Sequence, residues 1–352
     1  MDQGELLVSR HGGLARIRLN RPRALNSLTL EMVRGFTQAL AAAAIDPDVV
    51  AVLVTGEGDR GLCAGGDIRA LYELRDGDRN PYRIFWREEY ELNARIASFA
   101  KPYVVLMDGL VMGGGVGVSA HGNCRVVTER TRLAMPETGI GFIPDVGGSW
   151  LLARAAGAGV YMALSGVAAT GADAIAAGLA DVAIDSQHIP ALIERLEAVE
   201  APEDVHAALQ DLRRSPAAGE LAAHKEMLDR AMTGRSVEEI LSRLAAEHPA
   251  FARQAVQEIE TKSPTSLKVT YALLGEAAKP GASLESCLTR EYRAACRLLE
   301  GPDLYEGIRA AIIDRDKSPK WRPSTLAEVS EASVARILAG DGAPDPDFSR
   351  RA

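Results

Sequence analysis

Apolar and polar residues alternate along residues 14–19 (LARIRL), the period-two signature of a strand with one face toward solvent. Residues 29–45 change the period: apolar positions recur at helical spacing, and Thr29 stands where an N-cap belongs. Residues 49–55 (VVAVLVT) are almost continuously apolar, the pattern of a strand buried on both faces. Residues 103–107 (YVVLM) and 125–128 repeat that character. Glycine-rich turns and helical stretches separate these runs. The first 185 residues therefore predict an α/β core with parallel strands.

Beyond residue 186 the β-rich runs stop. Residues 189–199, 202–212, 219–232, 236–247, 251–261 and 266–276 all read as amphipathic helices. The chain thus divides into an α/β part, 1–185, and a helical part, 186–352. Proline punctuation in SPKWRP (318–323) precedes a last helix at 330–338, and the tail DGAPDPDFSRRA is expected to be loose.

Charge and composition narrow the classes. Forty Lys and Arg against 48 Asp and Glu give a net charge of −8, which disfavours nucleic acid and anionic membrane surfaces as partners. No apolar run approaches the roughly 18 residues of a membrane span. Cys63, Cys124, Cys287 and Cys296 lie far apart with no C-x-x-C pair, which fits a reducing compartment. The N-terminal MDQGELLVSRHGG has no leader-like character, so the expectation is a cytoplasmic protein. The six histidines, at 11, 121, 188, 206, 224 and 248, show no metal-binding spacing, and no metal site is expected.

Two glycine-rich segments follow strands: CAGGDIR (63–69) and GLVMGGGVG (109–117). Free backbone N–H groups at such strand-to-helix turns can converge on one oxygen as an oxyanion hole, or the glycines can serve close packing alone. Gly115-x-Gly117-x-x-Ala120 matches a dinucleotide fingerprint, but Glu129 comes too soon for the acid expected about 20 positions on. Ser119 lies in G-V-S-A, not in a G-x-S-x-G elbow. Glu137 and Asp145 are acids in the otherwise uncharged segment MPETGIGFIPDVGGSW, where burial would raise their pKa toward general-base values. Asp145 reads equally as the N-cap of a helix over 146–153. Glu89 falls on the apolar face of a helix over 81–99, in line with Phe85, Leu92 and Ile96, as a functional acid or as the partner of Arg83 or Arg87.

The segments LNRPRALNSL (19–28), CAGGDI (63–68), MGGG (112–115) and PETGIGFIPDVGGS (136–149) resemble the crotonase, or enoyl-CoA hydratase/isomerase, superfamily. REEYELN (87–93), MGGGVGVSAHG (112–122), SPTSLKVT (263–270) and EGIRAAIIDRDKSPKWRP (306–323) are similar to its 3-hydroxyisobutyryl-CoA hydrolase branch in particular. The resemblance spans nearly the whole chain. It implies a crotonase-like spiral of ββα units followed by a helical C-terminal region, and an acyl-CoA thioesterase of valine catabolism. No cofactor is implied, because CoA is part of the substrate; a homo-oligomer is in keeping with the superfamily. By the family pattern Gly66 and Gly114 supply the oxyanion-hole N–H groups. Gly66, Asp67, Ile68 and Arg69 line the CoA site, Glu137 is the catalytic carboxylate, and Asp145 and Glu89 meet the substrate. Hydratases carry a second glutamate where this chain has Gly117, which disfavours hydration and is expected to leave open space beside the thioester. A hydratase or isomerase, and a CoA-binding protein without turnover, are the rival expectations.

Overall fold

The computed structural model describes residues 4–349. Ten strands form two sheets: β1 (Leu6–His11), β2 (Leu14–Leu19), β3 (Ala51–Gly56), β4 (Gly61–Cys63), β5 (Tyr103–Met107), β6 (Leu110–Met112), β7 (Cys124–Val127), β8 (Arg132–Ala134), β9 (Ala169–Thr170) and β10 (Val182–Ala183). The larger sheet runs β1-β2-β3-β5-β7-β10, and the smaller β4-β6-β8-β9. Successive strand pairs split between them: β3, β5 and β7 enter the large sheet, and β4, β6 and β8 the small one. Each sheet is parallel along these strands, with antiparallel pairing at β1·β2 and at β8·β9. Repetition of this step winds the chain into the expected spiral of ββα units.

The continuous apolar run at β3 has a physical explanation in the two faces of the large sheet. Val52 and Val54 point into one hydrophobic cluster with Tyr103, Val105, Met107 and the helix Leu30–Ile45. Ala51 and Leu53 point into another, closed by Leu192, Leu196, Val205 and Leu209 from the helices Ile189–Glu197 and Pro202–Leu212. Both faces are dry, so the period-two alternation disappears. At β2 it survives in part, with Arg16 and Arg18 less buried than Ile17 and Leu19. Thr29 caps its helix by accepting the Met32 N–H at 3.2 Å.

Among the described residues no strand follows β10, and every later element is helical. The stretch expected as one helix at 219–232 is two, Glu220–Ala223 and Lys225–Ala231, parted at His224, whose ring stacks on Phe251 at 4.3 Å. Two helices were not foreseen, Leu284–Leu298 and Pro302–Ile308. The tail is not loose within the described residues. Asp341 pairs with Arg83, Asp345 with Arg293, the Asp347 N–H donates to Glu91 at 2.9 Å, and Phe348 packs on the core. Residues 350–352 of that tail lie outside the described part. No described helix is long and apolar enough to cross a membrane.

Candidate active site

Three of the acids singled out in the sequence meet at one glycine turn. β6 ends at Met112, and Gly113 takes φ +50° and ψ −120°, a conformation open to glycine. It redirects the chain into the short helix Gly114–Gly117. A methyl group on Gly113 would lie 2.8 Å from Glu137 Oε1, and one on Gly114 only 2.5 Å from Glu89 Oε1. Glu137 opens a helical turn, Glu137–Ile140, just after β8, and Glu89 comes from the middle of the helix Asn80–Ala97. Asp145, from the next loop, accepts the Tyr90 hydroxyl at 2.7 Å. All three side chains are buried. Above them Trp86 stacks on Phe142, ring centres 5.0 Å apart.

Burial is the main cause that raises the pKa of these acids, and mutual repulsion adds to it. Glu89 is pushed well above the usual carboxylate range by burial, then by Asp145 and Glu137. Glu137 is pushed well up by burial and by Asp145. Asp145 rises to about 7 through burial, although the Tyr90 hydrogen bond opposes the shift. Glu89 Oε1 and Glu137 Oε2 are buried without a hydrogen-bond partner among the described residues. No ion pair involves these three acids among the described residues. The ion-pair alternative for Glu89 therefore falls: Arg83 is bound to Glu300 and Asp341, each at 2.7 Å. The capping alternative for Asp145 falls as well. The helix begins at Gly148, has no side-chain cap from Asp145, and the carboxylate is held by Tyr90 instead.

A fourth buried acid completes the cluster, and the sequence reading missed it. Glu291, on the helix Leu284–Leu298, accepts the Gly147 N–H at 2.7 Å and the Ser149 N–H at 2.8 Å. It thereby caps the helix Gly148–Ala153 from a distance. Burial lifts Glu291 to about 7, and its charge in turn raises Asp145. Between Asp145 and Gly147, Val146 adopts φ +51°, a strained conformation for a β-branched residue. His121 Nε2 donates to the Val146 carbonyl at 2.7 Å and helps to hold it there.

The two glycine loops also meet. A methyl group on Gly114 would lie 3.5 Å from the Gly66 nitrogen, so the two segments approach within contact distance. Among the described residues, neither the Gly66 nor the Gly114 N–H donates to a protein acceptor. The packing role belongs to Gly115, where a methyl group would strike the Cys63 carbonyl at 2.4 Å. Asp67 is a structural anchor: it caps the helix Ile68–Glu73 through the Ala70 N–H and pairs with Arg21 at 2.9 Å. Ile68 packs against the core, and Arg69 reaches the Ile312 carbonyl at 3.4 Å.

Gly117 corrects an expectation. The space beside it is filled, not open: a methyl group there would lie 2.8 Å from both Asn93 Nδ2 and Val146 Cβ. The amide of Asn93, from the helix Asn80–Ala97, occupies the space that a side chain at 117 would need. The site does not lack a second carboxylate either, since Glu89 reaches the turn from that same helix.

Comparison with known proteins bears on this geometry. Residues 14–338 match the family described as enoyl-CoA hydratase/isomerase. The mitochondrial 3-hydroxyisobutyryl-CoA hydrolase of Rattus norvegicus is 39% identical over 99% of this chain and 92% of its own. That of Xenopus tropicalis is 42% identical over 97% and 90%. A crystal structure of a carnitinyl-CoA dehydratase from Mycobacterium thermoresistibile superposes with a TM-score of 0.94 at 46% identity, covering 99% of this chain and all of that one. The relatives named as mitochondrial overturn the cytoplasmic expectation. The four cysteines are free, a state that does not single out the cytoplasm among reducing compartments. With its ββα spiral and a match that runs from β2 to the last helix, the chain belongs to the enoyl-CoA hydratase/isomerase family, the crotonase superfamily.

Proposed function

We propose that the protein hydrolyses 3-hydroxyisobutyryl-CoA to 3-hydroxyisobutyrate and free CoA, a step of valine catabolism. The observation that carries this reading is the pair of N–H groups at Gly66 and Gly114, unengaged among the described residues, near Glu137, whose Oε2 has no partner there. A thioester oxygen seated between the two donors would gain negative charge as the carbonyl carbon is attacked, and preorganised donors stabilise that charge. Glu137 takes a proton from water, whose oxygen attacks the carbonyl carbon. Collapse of the tetrahedral adduct breaks the C–S bond, and the departing thiolate recovers the proton from Glu137. Direct attack by Glu137 to give a mixed anhydride, later hydrolysed, uses the same two donors. Asp145 and Glu89 orient the acyl chain and the water. The chemistry calls for no metal or redox cofactor. The names of the rat and frog relatives support the substrate assignment.

A dehydratase or hydratase is the second reading. It is favoured by the approach of Glu89 and Glu137 to the same glycine turn and by the likeness to the mycobacterial dehydratase. One preparation followed at the enoyl absorbance and for free thiol separates the two. Thiol release from 3-hydroxyisobutyryl-CoA with little hydration of crotonyl-CoA or methacrylyl-CoA is the expected result. Hydration without thiol release would reject hydrolysis.

A further inference from the structure

Asn93 is wholly buried, and neither its Oδ1 nor its Nδ2 has a hydrogen-bond partner among the described residues. An amide hidden from water and left unpaired is costly, so such groups are rare unless something other than protein engages them. Asn93 lies one helical turn after Glu89, on the same side of the helix Asn80–Ala97. Its Nδ2 fills the space next to Gly117, against Val146 and hence beside Asp145. The unpaired Oε1 of Glu89 borders the same short helix, and Glu137 meets the Gly113 turn that leads into it through Oε1. Three side chains that each carry an unpaired polar atom thus converge on one glycine segment, and of the three Asn93 alone is neutral at every pH.

We propose that Asn93 is a specificity residue that recognises the hydroxyl group at C3 of the acyl chain. The amide can donate from Nδ2 to the hydroxyl oxygen, or accept the hydroxyl proton at Oδ1. It cannot take up a proton, so it orients the acyl chain without joining in acid–base chemistry. A buried amide left without this partner would also reject acyl chains that lack the hydroxyl, because its own hydrogen bonds would go unmade. This assignment rests on the hydrolase reading above.

The test compares kcat/KM for CoA release from 3-hydroxyisobutyryl-CoA and from isobutyryl-CoA. It uses the unaltered protein, Asn93→Leu and Asn93→Ala, with Tm measured on each. The unaltered protein is expected to prefer the hydroxylated ester, and the preference is expected to fall about 10- to 100-fold in both variants. Asn93→Leu is expected to melt no lower than the unaltered protein, because it replaces an unpaired amide with an apolar group of similar size. If Asn93→Leu does not fold, the ratio in Asn93→Ala decides. Equal loss on both esters, or no initial preference, would mean that the amide serves the fold alone, and would overturn the proposal. Release of CoA from neither ester would overturn the hydrolase reading and this assignment together, a result distinct from release with an unchanged ratio.

Discussion

Glu291 accepts hydrogen bonds from both the backbone N–H and the hydroxyl of Ser149, a residue 142 positions earlier in the chain. Through Ser149 and Gly147 it fixes the loop that presents Asp145, while His121 holds Val146 from the other direction. The acid cluster and its loop are therefore one mechanical unit, and its protonation is linked to stability.

The sign of that linkage follows from the direction of the shifts. Glu291 and Asp145 sit at about 7 in the folded chain, against ordinary values of 4.5 and 3.8. Between those limits the folded chain holds protons that the unfolded chain has released, so the share of stability set by these two acids falls as pH rises through that interval. His121 works the other way. Burial lowers it to about 4 from 6.5, so its contribution is lost as pH falls through that interval. Glu291→Gln isolates the acid's share. From about pH 5.5 to about pH 8 the unaltered protein is expected to lose several degrees more in Tm than this variant. Parallel Tm curves would refute the assignment.

Glu137→Gln is expected to retain CoA-ester binding and to lower kcat by roughly 10²–10⁴, the range for loss of a general acid–base group. Steady-state kinetics with a separate binding titration checks this. Turnover near the original rate would remove Glu137 from the mechanism.

Gly114 permits a test of a backbone donor. It is the first residue of its helix, where proline is tolerated. Gly114→Ala keeps the N–H but drives a methyl group against Glu89, whereas Gly114→Pro loses the N–H as well. The proline variant is expected to fall a further 10²–10³ in kcat below the alanine variant, on the order of one oxyanion donor. Equal rates in the two would show that the N–H does not contact the transition state.

Gly117→Glu is not expected to create a hydratase. Its side chain would collide with Asn93 and Val146, and overpacking of this kind costs roughly 1–3 kcal/mol. The measurable outcome is a lower Tm with no gain in crotonyl-CoA hydration. A stable variant that hydrates crotonyl-CoA would show that the pocket can still yield at this position.

A single turnover in ¹⁸O-labelled water distinguishes the two hydrolytic routes. If Glu137 only activates water, the label enters the released acid in the first turnover. If Glu137 attacks the carbonyl, hydrolysis of the anhydride leaves label in its own carboxylate, which mass spectrometry of the peptide bearing residue 137 detects.

Much of this site was legible in the sequence because of where charge stood among apolar residues. Glu89 interrupts the stripe of Phe85, Leu92 and Ile96, and Glu137 stands alone in a Gly- and Pro-rich segment. Glu291 offered the same signal. It falls on a stripe with Leu284, Cys287, Leu288, Ala295 and Leu298, and all of these are buried. The surrounding Arg290, Arg293 and Arg297 made that helix read as a polar stretch and hid the period. Asn93 was not legible, because an asparagine gives no sign that it will be buried until the partner face is known. The three-residue strands β4, β6 and β8 were also silent, being too short to show a period; the spiral came through resemblance and not through alternation.

The tethering of the tail joins parts of the chain that lie far apart in sequence. Asp341 binds Arg83, on the helix that carries Glu89, and Asp345 binds Arg293, on the helix that carries Glu291. Residues 341–347 thus fasten together two helices that emerge from the ribosome some two hundred positions apart. The early strands are not closed without the late helices: β3 and β5 enter one core with Leu267, Leu288 and Ile308. The glycine turn is thus built from both ends of the sequence, and loss of residues 341–347 would untie the Glu89 helix and the Glu291 helix together.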